Sequence, residues 1–299
     1  MEYDRISDAN LITARYMDSL LIEERLIDSV VADTSTEIFG MRFSSPVMTP
    51  AFSHLGRYKN RELTGLEEYS IAAKKCNLLN FCGMMENDMF QRIADTGAKT
   101  VRIIKPYADS GKIRDQIEFA KEVGAVGIGM DVDHIFGPEG FDVVVGEAMT
   151  MQTMESLHSY AEDYGLPFTV KGVLSVRDAL KCAKLGAKAI IVSHHHGRMP
   201  YAVPPMMILP QIKEALIGKD VKIIVDCGIS SGADVFKALA LGADAAAVGR
   251  AMLPALEEDG VEGAKDFLTR VNRELWFIMC NTGFAGVSEI ESSVLHRLQ

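Results

Sequence analysis

Four short polar segments contain residues that could carry acid–base or anion-binding chemistry, and each follows an apolar run. They are Lys171, the segment SHHHGR (Ser193–Arg198), the segment DCGISSG (Asp226–Gly232) and the pair Gly249–Arg250. A lysine at the end of an apolar run is either a fixed cation that faces a ligand or a side chain that extends to solvent. Position alone fits both interpretations of Lys171 equally.

The three adjacent histidines do not have the spacing of a metal site. Zinc ligands are usually separated by two to four residues, and along an extended strand His194 and His196 would point one way and His195 the other. We therefore expect no bound metal and interpret one histidine as a candidate base; the alternative is a structural role, which is the commoner one for a single histidine. Arg198 is a candidate ligand for a carboxylate, because a guanidinium donates two parallel hydrogen bonds.

The glycines of Asp226–Gly232 and Gly249–Arg250 allow backbone N–H groups to approach an anion closely. In a (β/α)8 barrel, the loops after strands 7 and 8 frequently form a phosphate site. These two segments follow the seventh and eighth apolar runs, so we predict a phosphate site there. The alternative is a pair of ordinary tight turns.

The elements that must position these residues are eight apolar runs. They are rich in Val and Ile and mostly do not alternate with polar residues, which is typical of strands buried on both faces of a parallel sheet. The runs are Pro46–Thr49, Leu78–Phe81, Val101–Ile104, Val126–Met130, Phe168–Lys171, Ala189–Val192, Lys222–Asp226 and Ala245–Val248. Between them lie amphipathic segments such as Lys112–Val123, Val176–Leu185 and Ala233–Leu241.

This alternation predicts an α/β protein with a (β/α)8 TIM barrel. We predict a single domain over residues 1–299, with a short N-terminal helical extension over residues 1–40 and C-terminal helices after Arg250. A doubly wound open sheet is the alternative, but it usually has a GxGxxG turn after its first strand. No such turn follows Pro46–Thr49, so we favour the barrel, whose active residues lie where strands end.

Composition excludes several classes of function. The formal net charge is −10, and without a basic block the chain is a poor nucleic-acid or anionic-membrane binder. The sequence has no apolar run of about 20 residues that could span a membrane, and its polar N-terminus does not have the pattern of a signal peptide. Five scattered cysteines without a CxxC pair indicate reduced thiols, and we expect a cytoplasmic protein.

Two long segments resemble the FMN-dependent α-hydroxy acid oxidase/dehydrogenase family, which includes glycolate and lactate oxidases. They are VKGVLSVRDALKCAKLGAKAIIVSHHHGR and IIVDCGISSGADVFKALALGADAAAVGR. The family pattern is LKG, SNHGxRQ, DGGxRxGxDxxKALALGA and GR. The similarity is strong over Pro167–Arg250, and weaker similarity covers Ser35–Asp133 and Phe267–Leu295.

The resemblance implies specific roles for individual residues. It makes His195 the catalytic base, Asp133 the residue that orients it and Lys171 the cation beside the flavin. Arg198 and Tyr107 would bind the substrate. The implied FMN-binding residues are Ala51, Phe52, Ser53, Lys105, Asp131, Lys171, Ser193, Asp226, Gly228, Ser230, Gly249 and Arg250.

Several positions depart from the family pattern. His194 and His196 replace Asn and Gly, and Ser230 stands where the family has Arg. Lys105 and Asp131 replace a Gln and a Thr. In addition, the connection from Asp133 to Lys171 is far shorter than the family's substrate-covering loop, which makes this a shortened and divergent member.

Three functions remain open from the sequence. The family's activity implies an FMN enzyme that oxidises a small L-2-hydroxy acid to the 2-oxo acid, which the set Lys171, Asp133, His195 and Arg198 favours. Lys105, Asp131 and the triple histidine favour different FMN chemistry, such as an isomerase or a reductase. The shortened connection favours a non-catalytic flavoprotein. The resemblance also implies a homo-oligomer, a tetramer or an octamer.

Overall fold

Eight parallel strands form the centre of the computed structural model, which describes residues 7–298. They are β1 (Val47–Met48), β2 (Asn80–Cys82), β3 (Thr100–Ile104), β4 (Gly127–Asp131), β5 (Phe168–Val173), β6 (Ala189–Val192), β7 (Lys222–Val225) and β8 (Ala245–Ala247). Hydrogen bonds join them in the order β1-β8-β7-β6-β5-β4-β3-β2. A parallel bridge between Phe52 and Cys82 closes the ring between β1 and β2. The TIM barrel predicted from the sequence is therefore confirmed.

A helix follows each strand and packs outside the ring. The helices are α1 (Gly65–Lys75), α2 (Asn87–Asp95), α3 (Ser110–Glu122), α4 (Met154–Glu162), α5 (Val176–Lys184), α6 (Pro205–Ala215), α7 (Gly232–Ala240) and α8 (Leu253–Thr282), the last with a break at Asp259 and Gly260. The three helices expected from amphipathic segments are α3, α5 and α7. Gly186 and Gly242 follow α5 and α7 with positive φ angles, which glycine adopts without strain.

The barrel interior is a compact apolar cluster, and a hairpin covers it at the end where the strands begin. Inward side chains of the strands, such as Met48, Phe81 and Ile191, pack with Ile38 and Phe43. Ile38 and Phe43 belong to an antiparallel hairpin that precedes β1. Polar inward residues such as Asp131 and Lys171 lie at the upper, C-terminal strand ends.

The N-terminal segment is helical in part. Helix Ala9–Asp18 is followed by the strand Leu20–Ile22, which pairs with Leu295–Arg297 near the other end of the chain. The hairpin Thr36–Ile38/Met41–Phe43 completes this segment. Residues 1–6 of the expected helical extension lie outside the described residues.

The connection between β4 and α4 covers part of the barrel mouth. It contains two small hairpins, Phe136–Gly137 with Gly140–Phe141 and Val143–Val144 with Glu147–Ala148. We call residues 134–149 the cap segment. Within residues 7–298, no helix has the length and apolar character needed to cross a membrane.

Candidate active site

Three charged side chains converge where β3, β4 and β5 end. In β4, Gly127, Gly129 and Asp131 alternate with the outward residues, so the pleat directs Asp131 into the barrel mouth. One oxygen of Asp131 accepts a hydrogen bond from Lys105, and the other accepts one from Lys171 Nζ at 3.1 Å. All three side chains are at most 7% exposed. Burial of these charges is tolerated because each ammonium has the carboxylate as partner.

His195 lies in a turn rather than on a strand. Strand β6 ends at Val192, and His195 and His196 have φ angles of +47° and +58°. The expectation that the three histidines alternate along an extended strand is therefore wrong. The left-handed turn directs His195 Nδ1 to 2.7 Å from Asp133 Oδ1 and 3.3 Å from Asp131 Oδ1.

Glycine in β5 makes room for this arrangement. Gly172 has a φ of +94°, and a Cβ atom at this position would collide with the carboxylate of Asp133. The backbone next to Lys171 can therefore lie directly against Asp133. Lys171 Nζ also lies 3.3 Å from His195 Nδ1, so the lysine, the histidine and both carboxylates form one cluster.

The two carboxylates have opposite electrostatic environments. Burial alone would raise the pKa of Asp131, but the ammonium groups of Lys171 and Lys105 hold that pKa well below its usual value. Burial raises the pKa of Asp133 to about 6, and the negative charge of Asp131 adds to the effect. Burial would lower the pKa of His195, yet the adjacent Asp131 and Asp133 raise it overall.

The donor atoms of Asp131, Asp133 and His195 lie within 4.8 Å of one another, close enough to hold a cation. Lys105 and Lys171 already supply positive charge to Asp131. A metal ion would have to compete with both ammonium groups, so the cluster suits the movement of protons better than metal binding.

Arg198 contacts the cap segment. Its guanidinium donates to the carboxylate of Asp142 and, at 2.7 Å, to the carbonyl of Phe136. Its Nη1 also lies 3.0 Å from His134 Nε2. The ring of His134 stands edge-to-face with that of His195, with centroids 4.9 Å apart. Burial lowers the pKa of His134 to about 4, and the cations Lys105 and Arg198 act in the same direction.

The other two histidines of the triple have separate environments. His194 is buried, and its Nδ1 accepts the N–H of Gly197 at 3.0 Å. Its Nε2 is therefore the protonated nitrogen, and it donates to Thr13 Oγ1 at 2.8 Å on the N-terminal helix. His194 therefore connects the turn after β6 to the N-terminal helix, which is a structural role. His196 is exposed and contacts the guanidinium of Arg250.

Beside the cluster lies a cavity of about 380 Å³. This volume falls within the usual range for ligand pockets, about 300–1,000 Å³. Lys171 and His195 lie at one part of its wall and Gly249 and Arg250 at another. The lining residues are Asn10, Pro50, Ala51, Phe52, Lys171, His195, His196, Asp226, Cys227, Gly228, Ile229, Ser230, Ala247, Gly249, Arg250 and Ala251.

The cavity wall near Arg250 has the properties of an anion site. No carboxylate among residues 7–298 forms an ion pair with Arg250. The backbone N–H groups of Gly228, Ile229 and Gly249 donate to no backbone carbonyl within the same residues. Residues that carry a guanidinium and N–H groups without a backbone acceptor, and that line one cavity, suit the phosphate of a mononucleotide.

Four residues implied in FMN binding do not line this cavity: Ser53, Lys105, Asp131 and Ser193. Ser53 Oγ accepts the N–H of Met84, and Ser193 Oγ accepts the N–H of His195. Ser230 lines the cavity, although both its N–H and its hydroxyl donate to Asp234 at the start of α7.

Tyr107 is not hydrogen-bonded to this cluster. Its buried hydroxyl has no partner within residues 7–298, and its ring lies 5.0 Å from Lys112 Nζ of α3. The sequence alone assigns no role to Asp142, His134 or Asn10, although His134 ends the polar segment Asp131–His134 that follows the fourth apolar run. The only signal for the first two was their place in a polar connection after β4, and nothing marked Asn10 on a helix from the other side of the cavity.

Comparison with known proteins identifies the family. The model of the FMN-dependent dehydrogenase family matches residues 10–156 and 137–297. The chain belongs to this family. Its cofactor is therefore FMN, in agreement with the prediction from the sequence, and the cavity described above fits a mononucleotide.

Relatives and solved structures of similar fold carry related names. A peroxisomal (S)-2-hydroxyacid oxidase of Arabidopsis thaliana is 27% identical and is matched over 89% of this chain and 81% of its own. An L-lactate oxidase of Lactobacillus jensenii is 33% identical over 60% of this chain, but only 42% of that protein is matched. A structure of mandelate oxidase with benzoyl-formic acid superimposes with a TM-score of 0.85 at 25% identity, over 98% of this chain and 92% of the other.

Proposed function

We propose that this protein is an FMN-dependent oxidoreductase that converts a small L-2-hydroxy acid into the 2-oxo acid. The observation that carries the proposal is the contact of 2.7 Å between His195 Nδ1 and Asp133, next to Lys171 at the wall of the cavity. The names of the relatives, which include a 2-hydroxyacid oxidase, an L-lactate oxidase and a mandelate oxidase, support it.

The cavity residues would hold the cofactor. Ala51 and Phe52 lie at the end of β1, and Gly228, Gly249 and Arg250 would bind the phosphate through N–H groups and the guanidinium. Lys171 would place its positive charge beside the flavin ring. When bound, FMN supplies the oxidising chemistry by accepting two electrons from the substrate.

His195 has the geometry of a general base. Because its Nδ1–H is directed to Asp133, its Nε2 is left as the proton acceptor. Asp133 fixes the tautomer and the ring orientation, and the negative carboxylates stabilise the imidazolium that forms when the substrate hydroxyl loses its proton. This sequence of contacts is what proton removal from a 2-hydroxy acid requires.

Arg198 would bind the substrate carboxylate. It lies three residues after His195, and its guanidinium reaches His134, whose ring stands against that of His195. A carboxylate on Arg198 would therefore hold the substrate next to the base. In this structure the guanidinium of Arg198 donates instead to the carboxylate of Asp142 and the carbonyl of Phe136, both in the cap segment.

The decisive experiment is anaerobic bleaching of the flavin by a panel of 2-hydroxy acids. The parent protein should bleach with at least one small L-2-hydroxy acid and produce the 2-oxo acid. His195→Gln should retain FMN but bleach 10²–10⁴-fold more slowly, the usual cost of deleting a general base. Equal bleaching rates in the parent and His195→Gln would contradict the role of His195, and no bleaching by any hydroxy acid would contradict the activity.

A second candidate is an FMN reductase that works in the opposite direction. The buried pair of Lys105 and Asp131 favours it, because the two carboxylates near His195 raise its pKa and keep a proton available for a 2-oxo acid. The test is anaerobic reoxidation of the photoreduced enzyme by 2-oxo acids. Reoxidation by a 2-oxo acid, with no bleaching by the corresponding hydroxy acid at any pH, would favour the reductase.

We also propose a cytoplasmic location and a homo-oligomer. The five cysteines are unpaired, as expected in a reducing compartment. Leu26, Ile27, Val31 and Phe277 are exposed apolar side chains, and Ala32, next to Val31, contacts Trp276 and Cys280 of the helix that carries Phe277. Exposed apolar side chains in one region support self-association. Light scattering after size-exclusion chromatography would test the oligomer, which should be a tetramer or an octamer, and cell fractionation would test the location.

A further inference from the structure

We infer that Asp131 is a positioning residue for His195: it provides the permanent negative charge next to the imidazolium, and Lys105 holds it in place. This inference rests on the proposed role of His195 as the base. It assigns to the pair Lys105–Asp131 a function that neither the Gln and Thr of the family pattern nor any neutral pair could supply.

The first support is that Asp131 contacts two ammonium groups and the ring of His195, which outweigh the nearby carboxylate of Asp133. The Oδ2 of Asp131 contacts Lys105, and its Oδ1 lies 3.1 Å from Lys171 and 3.3 Å from His195 Nδ1. The carboxylate is 6% exposed, so its charge is poorly screened by solvent. A buried carboxylate between two ammonium groups stays ionised over the whole physiological pH range.

The second support is that Asp133 is the less acidic of the two carboxylates. Its Oδ2 is buried without a hydrogen-bond partner within the described part of the chain. Burial, together with the charge of Asp131, raises the pKa of Asp133 to about 6. The two carboxylates therefore divide the work: Asp133 directs Nδ1–H and sets the ring orientation, whereas Asp131 supplies the charge that stabilises the protonated ring.

Polar groups from several elements face His195. They are Asp131 of β4, Asp133 and His134 after β4, Lys171 of β5 and the hydroxyl of Ser193 on the backbone N–H of His195. Lys105 acts through Asp131. Asp131 is the counter-ion that Lys105 and Lys171 share, so its removal alone would leave two ammonium groups without that partner beside the ring.

The test therefore removes both charges of the pair together. The double variant Lys105→Gln/Asp131→Thr restores the neutral residues of the family pattern and leaves the formal net charge unchanged. Lys105→Gln/Asp131→Asn, which keeps the shape of the residue at position 131, is the second variant in case the first does not fold. Asp133→Asn is the matched control, since it removes the carboxylate that makes the shorter contact.

The primary readout is an NMR titration of the holoenzyme with isotope-labelled histidine, in which the His195 signal is assigned by its loss in His195→Gln. We expect the proton affinity of His195 to fall at least tenfold in the double variants and less in Asp133→Asn. A titration unchanged from that of the parent, or a larger fall in Asp133→Asn, would overturn the inference. Because this readout uses no substrate, it remains valid even if the proposed oxidation fails.

The second readout is the pH profile of kcat/KM for any hydroxy acid that bleaches the flavin. The acid limb should move to lower pH in the double variants by about one pH unit or more, which corresponds to the tenfold fall in the proton affinity of His195. Replacement of a residue with a purely structural role would lower kcat/KM equally at every pH. An unshifted profile with a uniformly lower rate would therefore contradict the role of Asp131.

Discussion

The carboxylate of Asp142 accepts a hydrogen bond from the guanidinium of Arg198, the position that we propose for the substrate carboxylate. Both side chains are partly buried, at 18% and 25% exposed, and His134 Nδ1 lies 2.9 Å from the same oxygen of Asp142. The cap segment thus places a carboxylate of the protein on the residue proposed to recognise the substrate. A 2-hydroxy acid would have to displace Asp142 before it could contact Arg198.

Arg198→Lys should raise the KM for a 2-hydroxy acid more than it disturbs the fold. An ammonium cannot reproduce the paired hydrogen bonds of the guanidinium, and the loss of a hydrogen bond to a charged group costs about 1.5–3 kcal/mol, or roughly 10–100-fold in binding. Steady-state kinetics together with thermal melting of the variant would measure both effects. An unchanged KM would show that another cation, such as Lys105, binds the carboxylate.

Asp142→Asn should change KM in the opposite direction. The amide keeps the shape of the side chain but no longer competes as an anion for Arg198. The ion pair is partly exposed, so its loss is worth up to about 1 kcal/mol, and KM should fall by up to roughly fivefold. Glu139→Gln, which removes a different negative charge from the cap segment, is the control for the loss of one charge. A KM that rises in Asp142→Asn would show that Asp142 supports the site instead of competing with substrate.

Much of the architecture could be predicted because burial leaves a strong mark on the sequence. Runs such as Ala189–Val192 and Lys222–Asp226 are apolar on both faces, and only the interior strands of a parallel sheet have that environment. The polar residues at the ends of the eight runs, including Lys171 at the end of the fifth, are then placed at one end of the barrel by the topology alone.

The cap segment and the histidine turn could not be predicted in the same way. The hairpins of the cap have strands of two residues, too short for any periodicity to appear. The positive φ of His195 and His196 has no signal in their residue type, since glycine is the residue that usually marks such a turn. The contacts of Asp142 with Arg198 and of His194 with Thr13 therefore appear only in three dimensions.

Lys171→Met should lower the reduction potential of the bound flavin and weaken its sulfite adduct. A cation about 4 Å away contributes about 4 kcal/mol at an effective dielectric constant of about 20, which corresponds to roughly three decades in adduct affinity. Asp131 would keep Lys105 as its partner, so the variant should fold. Lys188→Met, at an exposed lysine paired with Asp220, is the control. An adduct as tight as that of the parent would place Lys171 away from the flavin.

Arg250→Ala should weaken FMN binding while leaving riboflavin binding unchanged. The variant loses a charge-assisted hydrogen bond to the phosphate, about 1.5–3 kcal/mol, or roughly 10–100-fold in Kd. Riboflavin has no phosphate, so its Kd is the internal control for damage to the rest of the cavity. Fluorescence titration of the apoprotein would give both constants. Equal losses for the two flavins would place the phosphate elsewhere.

His194→Asn should lower the free energy of unfolding without changing the chemistry. The shorter amide cannot reach Thr13 on the N-terminal helix, and a buried hydroxyl that loses its partner costs about 1–3 kcal/mol. Urea denaturation would measure this cost. Thr13→Val removes the other partner of the same bond, so the costs of the two single variants should not add in the double variant.

The pH dependence of that stability should change as well. Burial lowers the pKa of His194 in the folded protein, so below its unfolded pKa of about 6.5 the unfolded chain binds a proton that the folded chain does not. His194 therefore makes the free energy of unfolding fall as the pH drops from 7 to 5. Because asparagine does not titrate, the His194→Asn variant should lose less stability over that interval than the parent. Parallel pH profiles for the two proteins, measured by urea denaturation at each pH, would show that His194 is not held neutral by its burial.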